Sequence, residues 1–118
     1  MEVVVNAQAY YKGHSLNENG SVNLSMKLKY DNLTNAIQLQ QMLNNDVNIA
    51  VKIPGAKAMK LGMFRIKSTT IDGDGESVVK FNGLNDYIEV DNLNNLVTKE
   101  PFKAKFVAEV EQEDDESE

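Results

Sequence analysis

The 118-residue sequence contains no cysteine and no tryptophan, and it has only two prolines and one histidine. Without cysteine, the chain cannot form disulfides or thiolate metal sites. No stretch approaches the roughly 20 apolar residues that a membrane-spanning helix requires, and the N-terminus lacks the basic segment of a secretory signal. The sequence therefore predicts an intracellular soluble domain, long enough to be stabilised by its hydrophobic core alone.

Residue groups typical of catalysis or metal binding are also missing. His14 lies in a turn-rich segment, and no carboxylate stands at a ligand-like spacing from it. The serines have no nucleophile-elbow context, and no glycine-rich phosphate-binding loop is present. We therefore expect no enzymatic activity, no catalytic residue, no metal site and no cofactor.

The acidic residues are concentrated at the C-terminus. Residues 109–118 carry seven of the 18 Asp and Glu residues and no basic residue, so the rest of the chain has 12 basic and 11 acidic residues. A segment with so little apolar surface cannot offset its ordering entropy, which predicts disorder. We expect a folded domain over residues 1–108 and a disordered acidic tail over residues 109–118. The tail is either an interaction arm or only a solubilising end.

Alternation of apolar and polar residues dominates the domain and predicts about six strands. These strands are expected over residues 2–12, 21–30, 47–53, 61–71, 76–81 and 102–106. Turns are expected over residues 13–20 and 72–75, extended chain over residues 87–90, and one helical turn over residues 91–97 with Leu93, Leu96 and Val97 inward.

Helical spacing appears only over residues 31–45, which predicts the main helix. The side chains expected to face the core from this helix are Leu33, Ile37, Leu39, Gln40, Met42 and Leu43.

Small sheets of this kind close into barrels, because closure removes exposed strand edges. The sequence therefore predicts a mainly β fold, namely a small OB-like antiparallel barrel with one main α-helix and the disordered acidic tail. The helix follows the second long strand, whereas in an OB barrel it usually follows the third. Either the first long strand bends and serves in two sheets, or the fold is a different small α+β fold.

Basic and aromatic side chains alternate on the outward faces of several predicted strands. Single-stranded nucleic acid is held by this mixture, because cations follow the phosphates and flat side chains stack on the bases. The candidate DNA-binding residues are Tyr10, Lys12, Lys27, Lys29, Arg65, Lys67, Lys80 and Tyr87. We expect the two tyrosines to stack and the others to contact phosphates. The alternative is an ordinary solvated sheet face.

Three features together resemble the single-stranded DNA-binding proteins of phages, in particular the small lactococcal-phage type. They are the strand over residues 3–12 with Tyr10 and Tyr11, the strand over residues 61–67, and the terminal acidic run. The resemblance implies an OB fold, a homo-oligomer (a dimer or larger), a place in the host cytoplasm, and sequence-independent binding of exposed strands during phage DNA replication and recombination.

The resemblance also gives the acidic tail a role. It implies that Glu113, Asp114, Asp115 and Glu116 recruit replication or recombination proteins, and that the tail competes with DNA for the groove. The chain departs from bacterial relatives, whose tails end in an aromatic residue that docks partners, because its last residue is Glu118.

Two other functions are open at this point. The first is a phage-encoded inhibitor or DNA mimic of a host defence nuclease, which the acidic tail favours. The basic strand faces argue against it, because a mimic should present clustered carboxylates on its folded body. The second is a small virion assembly protein on the same β scaffold, which would have no affinity for nucleic acid.

Overall fold

Six antiparallel strands form the molecule in the computed structural model, which describes residues 2–29, 33–71, 76–97 and 101–109. The elements are β1 (Glu2–Leu16), β2 (Ser21–Lys29), α1 (Leu33–Gln41), β3 (Asp46–Lys52), β4 (Met59–Ile71), β5 (Glu76–Leu84), a 3₁₀ turn (Asn85–Tyr87), α2 (Val90–Asn94) and β6 (Phe102–Glu109). The strands close in the order β1-β2-β5-β4-β3-β6. The predicted mainly β fold, an antiparallel barrel with one main helix, is confirmed.

The first strand takes part in two pairings, as one of the two topological alternatives requires. From Glu2 to Ala9 it pairs with β6, and from Gln8 to Leu16 it pairs with β2. The register shifts between Tyr11 and Gly13, and such a bulge bends a strand and increases its twist. One long bent strand shared by both sides of the barrel is the OB-like feature of this fold.

Inward-facing side chains from all six strands fill the barrel. The largest are Phe64, Phe81, Phe102 and Phe106, each no more than 2% exposed. The rings of Phe81 and Phe106 stack with their centroids 5.7 Å apart, and Phe64 meets Phe81 edge-on at 6.2 Å. Because these rings come from β4, β5 and β6, their packing links strands that are distant in sequence.

One side of α1 covers the barrel through Ala36 and Leu39, and Met42 in the turn directly after the helix is buried beside them. The prediction that Ile37 and Gln40 face the core is wrong. Ile37 is 54% exposed, because a helix of nine residues on the barrel surface buries only a narrow stripe. Gln40 is exposed too, and its Nε2 donates a hydrogen bond to Thr69 Oγ1 at 2.8 Å.

Further corrections concern the segments between strands. β1 continues through the predicted turn to Leu16, and the hydroxyl of Tyr11 lies 2.6 Å from His14 Nδ1 within this extension. Residues 87–90 are not an extended strand, because Tyr87 ends the 3₁₀ turn, Ile88 forms an isolated bridge and Val90 begins α2. In α2 and the turn after it, Leu93 and Leu96 are buried as predicted, whereas Val97 is 58% exposed.

Some predictions fall outside the described residues. They are the end of the second strand at residue 30, the start of the main helix at residues 31 and 32, the inward side chain of Leu33, the turn over residues 72–75, and the tail from residue 110 onward.

Gly62 allows the chain after β5 to lie directly on β4. Its φ is +114°, and a Cβ at this position would collide with the carbonyl oxygen of Tyr87 and lie 2.7 Å from Ile88 Cα. The backbone N–H of Glu89 donates to the carbonyl of Leu61 at 2.9 Å, which holds the two segments together. Any side chain at Gly62 would therefore separate them.

We expect Gly62→Ala to lower the free energy of unfolding by about 2–4 kcal/mol, because it adds a backbone clash to an unfavourable φ. The matched control is Gly55→Ala. Gly55 also has a positive φ, +83°, but its Cβ would meet nothing within 4 Å, so only a strain of about 1 kcal/mol is expected. Urea unfolding of both variants measures the difference, and equal losses would contradict the close approach at Gly62.

Candidate nucleic-acid interface

Seven of the eight candidate residues lie on the outside of four neighbouring strands, β1, β2, β5 and β4. We call this outer surface the candidate face. It carries Tyr10, Lys12, Lys27, Lys29, Arg65, Lys67 and Lys80. The antiparallel pairing thus brings together residues that are up to 70 positions apart in the sequence.

The register of the strands determines which candidate residues are neighbours. Tyr10 stands opposite Lys27, and Lys27 stands opposite Val78. In the next row, Lys80 lies between Ser25 of β2 and Ser68 of β4. Adjacent strands are about 4.8 Å apart, so Lys27 is the direct cross-strand neighbour of the half-buried Tyr10, and Lys80 lies on the next strand in the following row.

Two cations of the candidate face have acidic partners. Lys27 Nζ lies 2.9 Å from Glu76 Oε1, and Arg65 Nε lies 2.9 Å from Asp46 Oδ1. The side chains of the first pair are 28% and 19% exposed, and those of the second are more than half exposed. The Arg65–Asp46 pair is exposed and contributes little stability, so a phosphate could replace the carboxylate of Asp46 at small cost, whereas the Lys27–Glu76 pair is mostly buried.

Tyr87 is separated from the other candidate residues. Its side chain is 65% exposed in the 3₁₀ turn after β5, where the backbone lies against Gly62. Val78, the β5 residue in the row of Tyr10, lies six residues before the end of that strand at Leu84. This is about 20 Å of extended chain, so the two tyrosines do not form one stacking platform.

A second basic surface, which the sequence analysis did not include, is formed by β3, β6 and the first half of β1. An open groove of about 700 Å³ lies here. We call it the basic groove; its lining includes Lys52, Lys103 and Lys105 and, among the described residues, no carboxylate. Lys103 stands opposite Lys52, and Lys105 stands opposite Ala50.

Gln8 connects the basic groove with the candidate face, because it lies in the part of β1 that pairs on both sides. It stands opposite Lys29 of β2 and opposite Lys103 of β6. Lys103 in turn stands opposite Lys52 of β3. One row of outward side chains, Lys29, Gln8, Lys103 and Lys52, therefore crosses four strands over about 14 Å.

Carboxylates collect at the opposite end of the same strands. Glu2 stands opposite Glu109. These two residues and Asp46 line a small hollow together with Arg65. From Lys103 to Glu109 the chain of β6 spans about 20 Å, so the barrel is basic at one end of this surface and acidic at the other. Within the described ranges, no group of three or more potential ligands could hold a metal ion.

The strand alternation of Lys103 and Lys105 was visible in the sequence, but their connection with Lys52 was not. It depends on the pairing of β3 with β6, which are separated by 49 residues.

The chain matches no protein-family model, no curated protein and no solved structure at a significant level of similarity. Among the helices of the described ranges, none is both long enough and apolar enough to cross a membrane.

Proposed function

We propose that this protein binds single-stranded DNA without sequence preference and serves phage DNA replication or recombination. The observation that carries the proposal is the register that sets Tyr10 beside Lys27 on a face with five further cations. Cations along a sheet with an aromatic ring among them are the arrangement that holds a single strand. Homo-oligomerisation and recruitment of replication or recombination proteins through the acidic tail belong to the same proposal.

In this mechanism the cations first attract the DNA strand, and a base of that strand then stacks on Tyr10. Lys12, Lys29, Lys67 and Lys80 are exposed, and within the described part of the chain no carboxylate lies in ion-pair distance of them. A base on the Tyr10 ring gains about 1–3 kcal/mol. Because Tyr87 lies beyond the end of the candidate face, it would contact the bound DNA only if the DNA extends past Leu84.

The DNA-mimic alternative has weaker support from the fold. The carboxylates of Glu2, Asp46 and Glu109 line one small hollow, and within the described strands the only other carboxylate is that of Glu76, which pairs with Lys27. A mimic needs repeated acidic groups along its folded surface to imitate a phosphate backbone.

The first prediction is that the protein binds an oligo-dT of about 30 nucleotides far more tightly than the matching duplex. Binding should weaken steeply between about 50 mM and 200 mM salt, with a slope near 0.7 log units per tenfold salt for each phosphate neutralised. Fluorescence anisotropy of the labelled strand measures both effects. Absence of binding to either form, even at low salt, would discard the proposal and favour the inhibitor and assembly alternatives.

Within this experiment, Tyr10 provides the test of stacking. Tyr10→Ala should weaken binding by about 5- to 100-fold, because it removes the ring from beneath a base. Tyr10→Phe is the matched control and should bind as the unchanged protein does. Equal affinities of the Ala and Phe variants would exclude a stacking role for this residue.

The second prediction concerns the acid that pairs with Lys27. Glu76→Gln should tighten binding of the oligo-dT about two- to fivefold at low salt, because the neutral amide no longer competes with phosphate for the ammonium group of Lys27 as the carboxylate does. The gain should shrink at high salt. Glu89→Gln is the control, since Glu89 is exposed beside α2 and away from the candidate face. A gain of the same size in both variants would show that only net charge matters.

The third prediction is that the acidic tail competes with DNA. The described part of β6 ends at Glu109, so removal of residues 110–118 takes six acidic residues away and leaves every described strand complete. Binding should become tighter, most visibly at low salt. A full-length variant with these six residues changed to Asn and Gln should behave like the truncation. Equal or weaker binding by the truncated protein would refute the competition.

A further inference from the structure

We infer that the basic groove is a second contact surface for the same bound strand, which crosses from the candidate face over Gln8 and places its phosphates along Lys103, Lys52 and Lys105. This inference rests on the proposed function and defines the path of the DNA around the barrel. The path follows the row Lys29, Gln8, Lys103 and Lys52, which is continuous across four paired strands.

The charges of the groove fit a polyanion. Three ammonium groups face one open depression whose described lining has no carboxylate. The lysine side chains are exposed, and the one hydrogen bond of Lys52 Nζ to the described residues is to the carbonyl of Ala56, at 2.9 Å. These groups can therefore contact phosphates without the loss of an ion pair.

The remaining lining favours contacts with a sugar–phosphate backbone over recognition of bases. Its apolar surface comes largely from small residues and prolines, including Ala50, Ala58, Pro54 and Pro101. Phe102 is the only aromatic residue among the described lining, and it is 98% buried in the barrel core. A base entering the groove would find no exposed ring, whereas phosphates would find three cations.

The acidic end of the barrel restricts the direction of this path. A strand that continued along β6 would approach Glu109 and Glu2, which stand opposite each other. Repulsion between these carboxylates and phosphates keeps the strand on the row that crosses the strands. A short oligonucleotide can therefore occupy the candidate face alone, whereas a longer one fills the groove as well.

The test compares two triple variants of the full-length protein. The groove variant carries Lys52→Gln, Lys103→Gln and Lys105→Gln, and the face variant carries Lys12→Gln, Lys67→Gln and Lys80→Gln. Both remove three exposed lysines, so their net charge is identical. Each is titrated by anisotropy with oligo-dT of about 8 and about 30 nucleotides. The first length lies within the roughly 4–16 nucleotides typical of one OB barrel, and the second lies well above them.

We expect the groove variant to bind the short oligonucleotide like the unchanged protein and the long one about tenfold or more weakly. Its salt slope for the long strand should fall by about 2 log units, since three phosphate contacts are lost. The face variant should lose affinity for both lengths. Circular dichroism and the midpoint of thermal unfolding confirm that both variants are folded.

The two variants distinguish a failure of this inference from a failure of the proposed function. If the groove variant binds the long strand with unchanged affinity and slope, the inference is wrong and the proposed function stands. If the unchanged protein binds neither the short nor the long oligonucleotide, the inference and the proposed function are both wrong. If the groove variant loses affinity for both oligonucleotides and the face variant loses affinity for neither, the groove is the sole binding site and the continuous path is refuted.

A second measurement keeps the inference testable if a variant fails to fold. The amide signals of Lys103 and Lys105 in the spectrum of the unchanged protein should shift on addition of the long oligonucleotide and not the short one. Signals that stay in place with the long oligonucleotide would overturn the inference.

Discussion

The double pairing of β1 is the constraint on which the rest of the structure depends. Gln8 and Ala9 stand opposite residues of both β2 and β6, so one strand closes the barrel and sets the register on two sides. Val3, Val5, Ala7 and Ala9 fix that register by burial. A slip of one residue would turn Tyr10 inward and expose the apolar set. The outer rows of cations are therefore a consequence of the packing inside.

The sequence alone predicted which residues of each strand face inward, because alternation has a period of two and each strand carries it independently. Val22, Leu24, Met26 and Leu28 are all buried as expected. The order of the strands could not be predicted, because it depends on pairing between distant segments. The residues of the candidate face had all been predicted from the sequence. The basic groove had not, because it depends on the pairing of the distant strands β3 and β6.

Other misses have local physical causes. The helical pattern placed Ile37 inward, but the stripe that α1 buries is narrower than the stripe of apolar residues that the sequence presents. The need for glycine at position 62 could not be predicted, because it arises from backbone that approaches Gly62 from 25 residues further along the chain. Likewise, the ion pairs of Lys27 and Arg65 could not be predicted, because their partners Glu76 and Asp46 lie on other strands.

The separation of lysines and carboxylates along β6 gives the barrel an electric dipole. In the field of any polyanion, such a dipole experiences a torque that turns its basic end forward before contact. A molecule that approaches the polyanion in the wrong orientation therefore rotates before contact and does not need to dissociate and collide again. For a protein that binds a polyanion as proposed, the arrangement of Glu2, Glu109 and the three groove lysines would raise the rate of encounter with that polyanion at low ionic strength, although none of these residues forms a contact during the approach.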